Sequence, residues 1–98
     1  SPLKNHPAYS SAKAGLKMLT RSLAKDLAPE IRVNGISPGA ILWPEDGISE
    51  EAKKSILEQI PLNRTGSPQD IADCVLFLLN QANYITGQII AVDGGRSV

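Results

Sequence analysis

The sequence predicts an α/β fold, and three observations lead to this prediction. Residues with helical and strand-like patterns follow one another in the order helix, strand, two helices, strand, as in a doubly wound parallel sheet. The first helical segment is followed within three residues by a β-branched segment, which is the helix-to-strand half of an α/β unit. The 98 residues contain no internal repeat, low-complexity tract or linker, so we expect one domain over 1–98. Because this length is short for a doubly wound domain, we expect an incomplete fold.

The first helix is predicted from Pro7 to Leu27. Pro7 suits the first helical turn, and Pro29 disfavours helical geometry in the residue before it. The helical spacing of three and four residues is carried by Ala12, Leu16, Leu19, Leu23 and Leu27. A short strand is then predicted over 31–37, because Ile31, Val33 and Ile36 are β-branched and Pro38 follows directly.

A second helix is predicted after an irregular segment at 40–48. Ser49 is expected to cap this helix, and Glu50 in its first turn complements the helix dipole. Lys54 lies four residues after Glu50, so the two side chains are expected to form a favourable ion pair. Pro61 is expected to end the element.

The last helix and the last strand are also marked by local signals. Ser67 is expected to cap a helix that starts at Pro68 and runs to about Leu79. The apolar residues of this helix cover a wide surface, which predicts that it packs against a sheet or in a subunit contact. The final strand is predicted over 88–92 and ends at a tight turn, 93–95.

Composition excludes several classes of function. Lys and Arg number 10, as do Asp and Glu, so nothing favours a nucleic-acid partner. No apolar run has membrane-spanning length, so no membrane association is expected. Cys74 and His6 are each the only residue of their type, so no metal site is expected. We interpret Cys74 as a buried thiol in a reducing, cytoplasmic compartment.

Tyr9 and Lys13 form the candidate catalytic pair. Their spacing of four residues places them on the same face of the first helix. A free tyrosine has a pKa near 10, and a neighbouring cation lowers it towards the range useful for proton transfer. The same spacing is common by chance, however. In a non-catalytic arrangement, Tyr9 would pack its ring and leave its hydroxyl in solvent, and Lys13 would extend from a buried stem to solvent. The pair alone therefore leaves both interpretations open.

Four segments together resemble the short-chain dehydrogenase/reductase family. Residues 9–15 are similar to its active-site helix, and 31–39 to its strand and Pro-Gly turn beneath the nicotinamide. Residues 66–72 resemble the start of its penultimate helix, and 84–95 its last strand and turn. The resemblance implies that residues 1–98 are the C-terminal portion of a doubly wound Rossmann-like domain, from its active-site helix to its last strand. It also implies an NAD(P)-dependent oxidoreductase. In the family, the glycine-rich phosphate turn and a catalytic Ser or Asp precede the segment that corresponds to residue 1. We therefore expect these 98 residues to be inactive by themselves.

The resemblance also implies roles for individual residues. Tyr9 would donate the proton to the substrate, while Lys13 would bind the nicotinamide ribose and lower the pKa of Tyr9. The nicotinamide would lie against the backbone of the turn formed by Pro38, Gly39, Ala40 and Ile41. A planar ring pressing on the backbone would itself explain a glycine at position 39. Asn34 is expected to be structural, through side-chain bonds to nearby backbone.

Within the family, residues 41–45 look most like pteridine reductases, which reduce pterins or folates with NADPH. Trp43 stands where many members have a Thr that touches the cofactor, and its indole would suit a flat aromatic substrate or simply cover the core. NADH as the cofactor stays open. The alternatives are a 3-oxoacyl-[acyl-carrier-protein] reductase and a non-catalytic oligomerisation module. The resemblance further implies a homotetramer acting on a small-molecule substrate.

Overall fold

The computed structural model describes residues 6–39 and 47–98, with side chains described from residue 12 onward. Its elements are α1 (His6–Leu27), β1 (Gly35–Pro38), α2 (Glu50–Glu58), α3 (Pro68–Asn80) and β2 (Ile89–Val92). This order confirms the predicted alternation of helices and strands. Ala40, Ile41 and Trp43 lie outside the described residues.

The chain forms two compact units. The first comprises the chain up to Gly35 together with Tyr84–Ile89, and the second comprises Ile36–Asn83 with Ile90–Val98. The first unit thus contains α1, and the second contains α2 and α3.

In the first unit, α1 ends at Leu27 as predicted, and its buried positions are small residues. Thr20 and Ala24 are buried, and the Thr20 hydroxyl donates to the carbonyl of Leu16 at 2.8 Å. Leu16 and Leu19 remain more than half exposed, at 59% and 54%. The periodicity therefore predicted the helix correctly, although these leucines are not covered by the described residues. Among those residues, no helix combines the length and the hydrophobicity needed to cross a membrane.

The first strand is shorter than predicted, because the segment before it bonds to an irregular partner. The prediction placed the strand at 31–37, whereas β1 covers Gly35–Pro38. The N–H of Val33 donates to the Thr86 hydroxyl at 3.0 Å, and the N–H of Gly87 donates to the Val33 carbonyl at 2.7 Å. Gly87 has a φ of 77°, which is not a strand conformation, so regular pairing starts only after it.

The two strands pair in a parallel register. The N–H of Gly35 donates to the carbonyl of Gln88 at 2.8 Å, and the N–H of Gly39 donates to that of Val92 at 3.0 Å. Both partners advance by four residues in the same direction, as a parallel ladder requires. The carboxyl ends of β1 and β2 therefore meet at the same edge of the sheet. The connection between the strands contains α2 and α3, as expected for a crossover.

In the second unit, α2 begins as predicted but forms a different ion pair. The Ser49 hydroxyl accepts a hydrogen bond from the N–H of Ala52 at 3.1 Å. Glu50 pairs with Lys53 at 3.5 Å, rather than with the predicted Lys54. On a helix the third and fourth neighbours are about equally close, so sequence spacing does not distinguish them.

The start of α3 also confirms its prediction. The N–H of Asp70 donates to the Ser67 hydroxyl at 3.3 Å, and the N–H of Ser67 donates to the Asp70 carboxylate at 2.8 Å. This reciprocal arrangement is a capping box. Only Leu78 of α3 is buried among the described residues. Its large apolar neighbours are 38–64% exposed: Val75, Leu76, Phe77 and Leu79.

Candidate functional site

Tyr9 and Lys13 both lie on α1, within the first unit. The helix places them one turn apart on the same face, as the sequence predicted. The side chain of Lys13 is exposed. The side chain of Tyr9 lies outside the described side chains, so the contact between the two remains a prediction.

Pro38 and Gly39 lie at the carboxyl end of β1, within the second unit. Pro38 is exposed, and Gly39 is held to the end of β2 through its hydrogen bond to Val92. In open α/β sheets, ligands bind outside the carboxyl ends of the strands. The predicted contacts of Ala40 and Ile41 with the cofactor fall outside the described residues, as does the predicted substrate contact of Trp43.

The structure gives a reason for glycine at position 39 that differs from the one expected from the sequence. A Cβ built on Gly39 would lie 2.7 Å from Cβ and 2.8 Å from Cα of Asp93. Contacts this short with backbone cannot be relieved by rotating a side chain. Gly39 is therefore required by the close approach of Asp93. A nicotinamide ring is not needed to explain it.

Asp93 begins the tight turn that the sequence predicted after β2. One carboxylate oxygen accepts the N–H of Gly95 at 2.9 Å, and the other accepts the N–H of Ser97 at 3.2 Å. Hydrogen bonds from the Ser97 side chain and from the backbone N–H of Gly95 lower the pKa of Asp93 below its ordinary value. The carboxylate therefore stays ionised at neutral pH. Sequence reasoning identified the turn but missed its contact with Gly39. A parallel pairing of 35–38 with 89–92 would have indicated it.

Asn34 has the structural role that the sequence predicted. Its side-chain amide donates to the carbonyl of Ile85 at 3.0 Å and accepts the N–H of Gln88 at 3.1 Å. These bonds lie within the first unit and join the residue before β1 to the segment that leads into β2. Asn34 thereby fixes the start of the parallel register.

A shallow cleft in the second unit contains an ion pair that the sequence did not single out. Arg64 donates to the Asp70 carboxylate at 2.9 Å, and Leu62, Val92 and Asp93 also line the cleft. The hydrogen bond from Arg64, followed by that from the Ser67 backbone, lowers the pKa of Asp70 to about 2. Within 6–39 and 47–98, no group of three or more His, Cys, Asp or Glu side chains could hold a metal ion. Cys74 is half-buried rather than fully buried as expected.

The described residues fit one part of a nicotinamide cofactor site. The exposed Pro38 and the immobilised Gly39 form the carboxyl end of a parallel strand, where such a ring would lie. An exposed lysine on a helix suits a hydrogen bond to ribose hydroxyls. Lys13 belongs to the first unit and Gly39 to the second.

Comparison with known proteins gives a consistent result. A model of the family described as Enoyl-(Acyl carrier protein) reductase matches residues 2–97. A 3-oxoacyl-[acyl-carrier-protein] reductase from Aquifex aeolicus is 51% identical over 90 residues, which cover 89% of this chain and 36% of the relative. A 7alpha-hydroxysteroid dehydrogenase from Escherichia coli K12 is 44% identical over 95 residues, which cover 93% of this chain and 37% of the relative.

Solved structures agree with this result. The crystal structure of a short chain dehydrogenase from Leptospira borgpetersenii, with bound NAD+, is similar with a TM-score of 0.80 and 38% identity. The match covers 92% of this chain and 35% of that structure. The chain thus spans little more than a third of the length of these relatives.

Proposed function

The chain belongs to the short-chain dehydrogenase/reductase family, and from this premise we propose that the full-length protein is an NADPH-dependent reductase. It reduces a C=O or C=N bond by hydride transfer. The observation that carries the proposal is the placement of Tyr9 and Lys13 one turn apart on α1. This pair suits proton transfer to the heteroatom that hydride addition leaves charged.

Each residue of the pair has a distinct task in this reaction. When bound, the dinucleotide would supply a hydride for the substrate carbon. The Tyr9 hydroxyl donates its proton to the substrate oxygen or nitrogen, so that one hydride and one proton complete the reduction. The Lys13 ammonium stabilises the resulting phenolate and donates hydrogen bonds to the nicotinamide ribose.

The cofactor is proposed to lie against the backbone at the carboxyl end of β1. In this proposal the nicotinamide contacts Pro38, Gly39, Ala40 and Ile41. NADPH is our choice because of the resemblance of residues 41–45 to pteridine reductases. The related Leptospira structure contains NAD+, so NADH must be compared directly.

For the substrate, we propose a pterin or folate-like heterocycle with a C=N bond. Residues 41–45 support this choice, because Trp43 stands where many family members have a threonine. An indole at this point offers a flat apolar wall, and a fused aromatic ring stacks well against such a surface. In this proposal, Trp43 is a substrate-contacting residue.

The second candidate is a 3-oxoacyl thioester carried by an acyl carrier protein. The 51% identity to the Aquifex 3-oxoacyl-[acyl-carrier-protein] reductase favours it. The relatives named above are a 3-oxoacyl-[acyl-carrier-protein] reductase and a 7alpha-hydroxysteroid dehydrogenase, and neither name refers to a C=N bond. The chemistry of Tyr9 and Lys13 is the same for both candidates.

The substrate is tested by the loss of NADPH absorbance in the full-length protein, with dihydrobiopterin and then with an acetoacetyl thioester. The proposal expects faster turnover of the pterin, and expects Trp43→Ala to raise its KM more than that of the thioester. Turnover of the thioester alone would keep the reductase and discard the pterin. Repeating the assay with NADH determines the preferred cofactor.

A further inference from the structure

The turn 93–95, which follows β2, lies against Gly39. A Cβ on Gly39 would lie 2.7 Å from Cβ of Asp93, and the N–H of Gly39 is bonded to Val92, the residue before Asp93. All of these residues belong to the second unit. Asp93 therefore lies so close to Gly39 that no side chain fits between them, and the bond to Val92 couples the two backbone segments.

The carboxylate of Asp93 holds this turn together. Its two oxygens accept the N–H groups of Gly95 and Ser97, at 2.9 and 3.2 Å, while its own carbonyl accepts the N–H of Arg96 at 3.2 Å. The hydrogen bond from the Ser97 side chain, followed by that from the backbone N–H of Gly95, lowers the pKa of Asp93, so the carboxylate stays charged across the neutral range. Three consecutive N–H groups are thereby tied to one residue, which leaves the turn little freedom.

The other side of the turn is packed against the segment that follows α2. Gly94 and Gly95 have φ values of 63° and 92°, and a Cβ on Gly94 would lie 2.7 Å from the Ile60 side chain. Ile60 is buried at 3% exposure. The N–H of Leu62 donates to the carbonyl of Gly94 at 3.0 Å. The turn therefore contacts this segment on one side and Gly39 on the other, so a shift of the turn would displace the Gly39 backbone.

We propose that Asp93 is a positioning residue for the nicotinamide. Its carboxylate holds the turn that contacts Gly39. The turn thereby determines the position of the Gly39 backbone, against which the nicotinamide ring is proposed to lie. This inference rests on the proposed function, because it requires a nicotinamide to bind over Pro38 and Gly39. Asp93 itself does not touch the cofactor.

The experiment compares Asp93→Asn with wild type in the full-length protein. The asparagine side chain has one oxygen and one NH2 group. The oxygen can accept one of the two backbone N–H groups, but the NH2 group is a donor and cannot accept the other. Calorimetry measures the binding of NADPH and of 2′-phospho-ADP-ribose, which lacks the nicotinamide. We expect weaker binding of NADPH and unchanged binding of 2′-phospho-ADP-ribose. Misplacement of the ring also predicts a fall in kcat of about 10-fold to 100-fold. The deuterium isotope effect with 4-deuterated NADPH should rise as hydride transfer becomes limiting.

A matched control is Asp73→Asn, because Asp73 accepts from the Gln69 side chain within α3. This control should bind both ligands as wild type does. A milder variant, Ser97→Ala, removes only the side-chain bond to Asp93 and should show the same selective loss at smaller size. It also provides the test if Asp93→Asn does not fold.

The outcomes separate the inference from the proposed function. Equal loss of affinity for both ligands, or no loss for either, would overturn the positioning role while leaving the reductase intact. Failure of the wild-type protein to bind NADPH or NADH would refute the proposed function, and the inference with it. Selective loss of NADPH binding in the variants supports both.

Discussion

At the scale of single residues, the chemistry of the proposed site depends on neighbours that are distant in sequence. Gly39 lies against Asp93, and Asn34 is bonded to Ile85 and Gln88. The sequence alone identified Gly39 and Asn34 as important because of their types and their resemblance to a family pattern. It could not identify Asp93 as the partner of Gly39, because that contact exists only once the two strands are paired.

The ion pair of Arg64 and Asp70 provides a prediction on pH dependence. The pKa of Asp70 is about 2 in the folded protein, below the value of about 4 for a free aspartate. The folded state therefore favours the carboxylate, and this stabilisation is complete above the unfolded pKa and lost as pH falls towards the folded one. Arg64→Met should raise the folded pKa. The free energy of unfolding would then depend less steeply on pH between about pH 4 and pH 2.

Urea denaturation of the full-length protein over this range measures the effect. Lys54→Met serves as the control, because it removes one positive charge from an exposed position on α2. The control should keep the wild-type slope of stability against pH. Parallel profiles for wild type and Arg64→Met would contradict the assigned cause of the pKa shift.

At the scale of elements, local signals predicted the helices and failed for the first strand. Ser49, Ser67 and Pro68 act on the backbone immediately around them, so their residue types were enough to place the starts of α2 and α3. The start of β1 depends instead on Thr86 and Gly87, which bond to Val33 outside a regular ladder. A β-branched run such as 31–37 shows the capacity for a strand, but the partner determines where pairing begins.

The capping box of α3 should contribute measurably to stability. Ser67→Ala removes the acceptor for the N–H of Asp70 and should lower the free energy of unfolding by about 1 kcal/mol. Ser55→Ala is the matched control, since Ser55 is exposed inside α2, where alanine is the better helix former. Thermal or urea unfolding of both variants measures the difference. An equal effect of the two substitutions would show that the cap is not responsible.

At the scale of the whole molecule, several large apolar side chains remain exposed among the described residues. Leu16, Met18 and Leu19 on α1 are more than half exposed, as are Leu76 and Leu79 on α3. Burying each such side chain is worth about 1.5–3 kcal/mol, so covering them is strongly favourable. The chain spans little more than a third of its relatives, and we propose that these surfaces pack against the remainder of the full-length protein and against other subunits.

The family resemblance implies a homotetramer, and we propose this assembly for the full-length protein. Light scattering coupled to size exclusion should give four times the subunit mass, and this mass should persist on dilution into the micromolar range. A monomeric mass would refute the predicted assembly. The catalytic proposal does not depend on this assembly and would still be tested by the activity assay.

The proposal that Tyr9 is the proton donor is tested most directly by comparing the two tyrosines of the chain. The measurement is the rate of NADPH oxidation by the full-length protein. Tyr9→Phe removes only the proposed proton donor, and turnover should fall by about 100-fold to 10,000-fold while the protein stays folded. Tyr84→Phe removes the hydroxyl of a fully exposed tyrosine and should leave the rate unchanged. Turnover of Tyr9→Phe at the wild-type rate would show that the proton comes from another group.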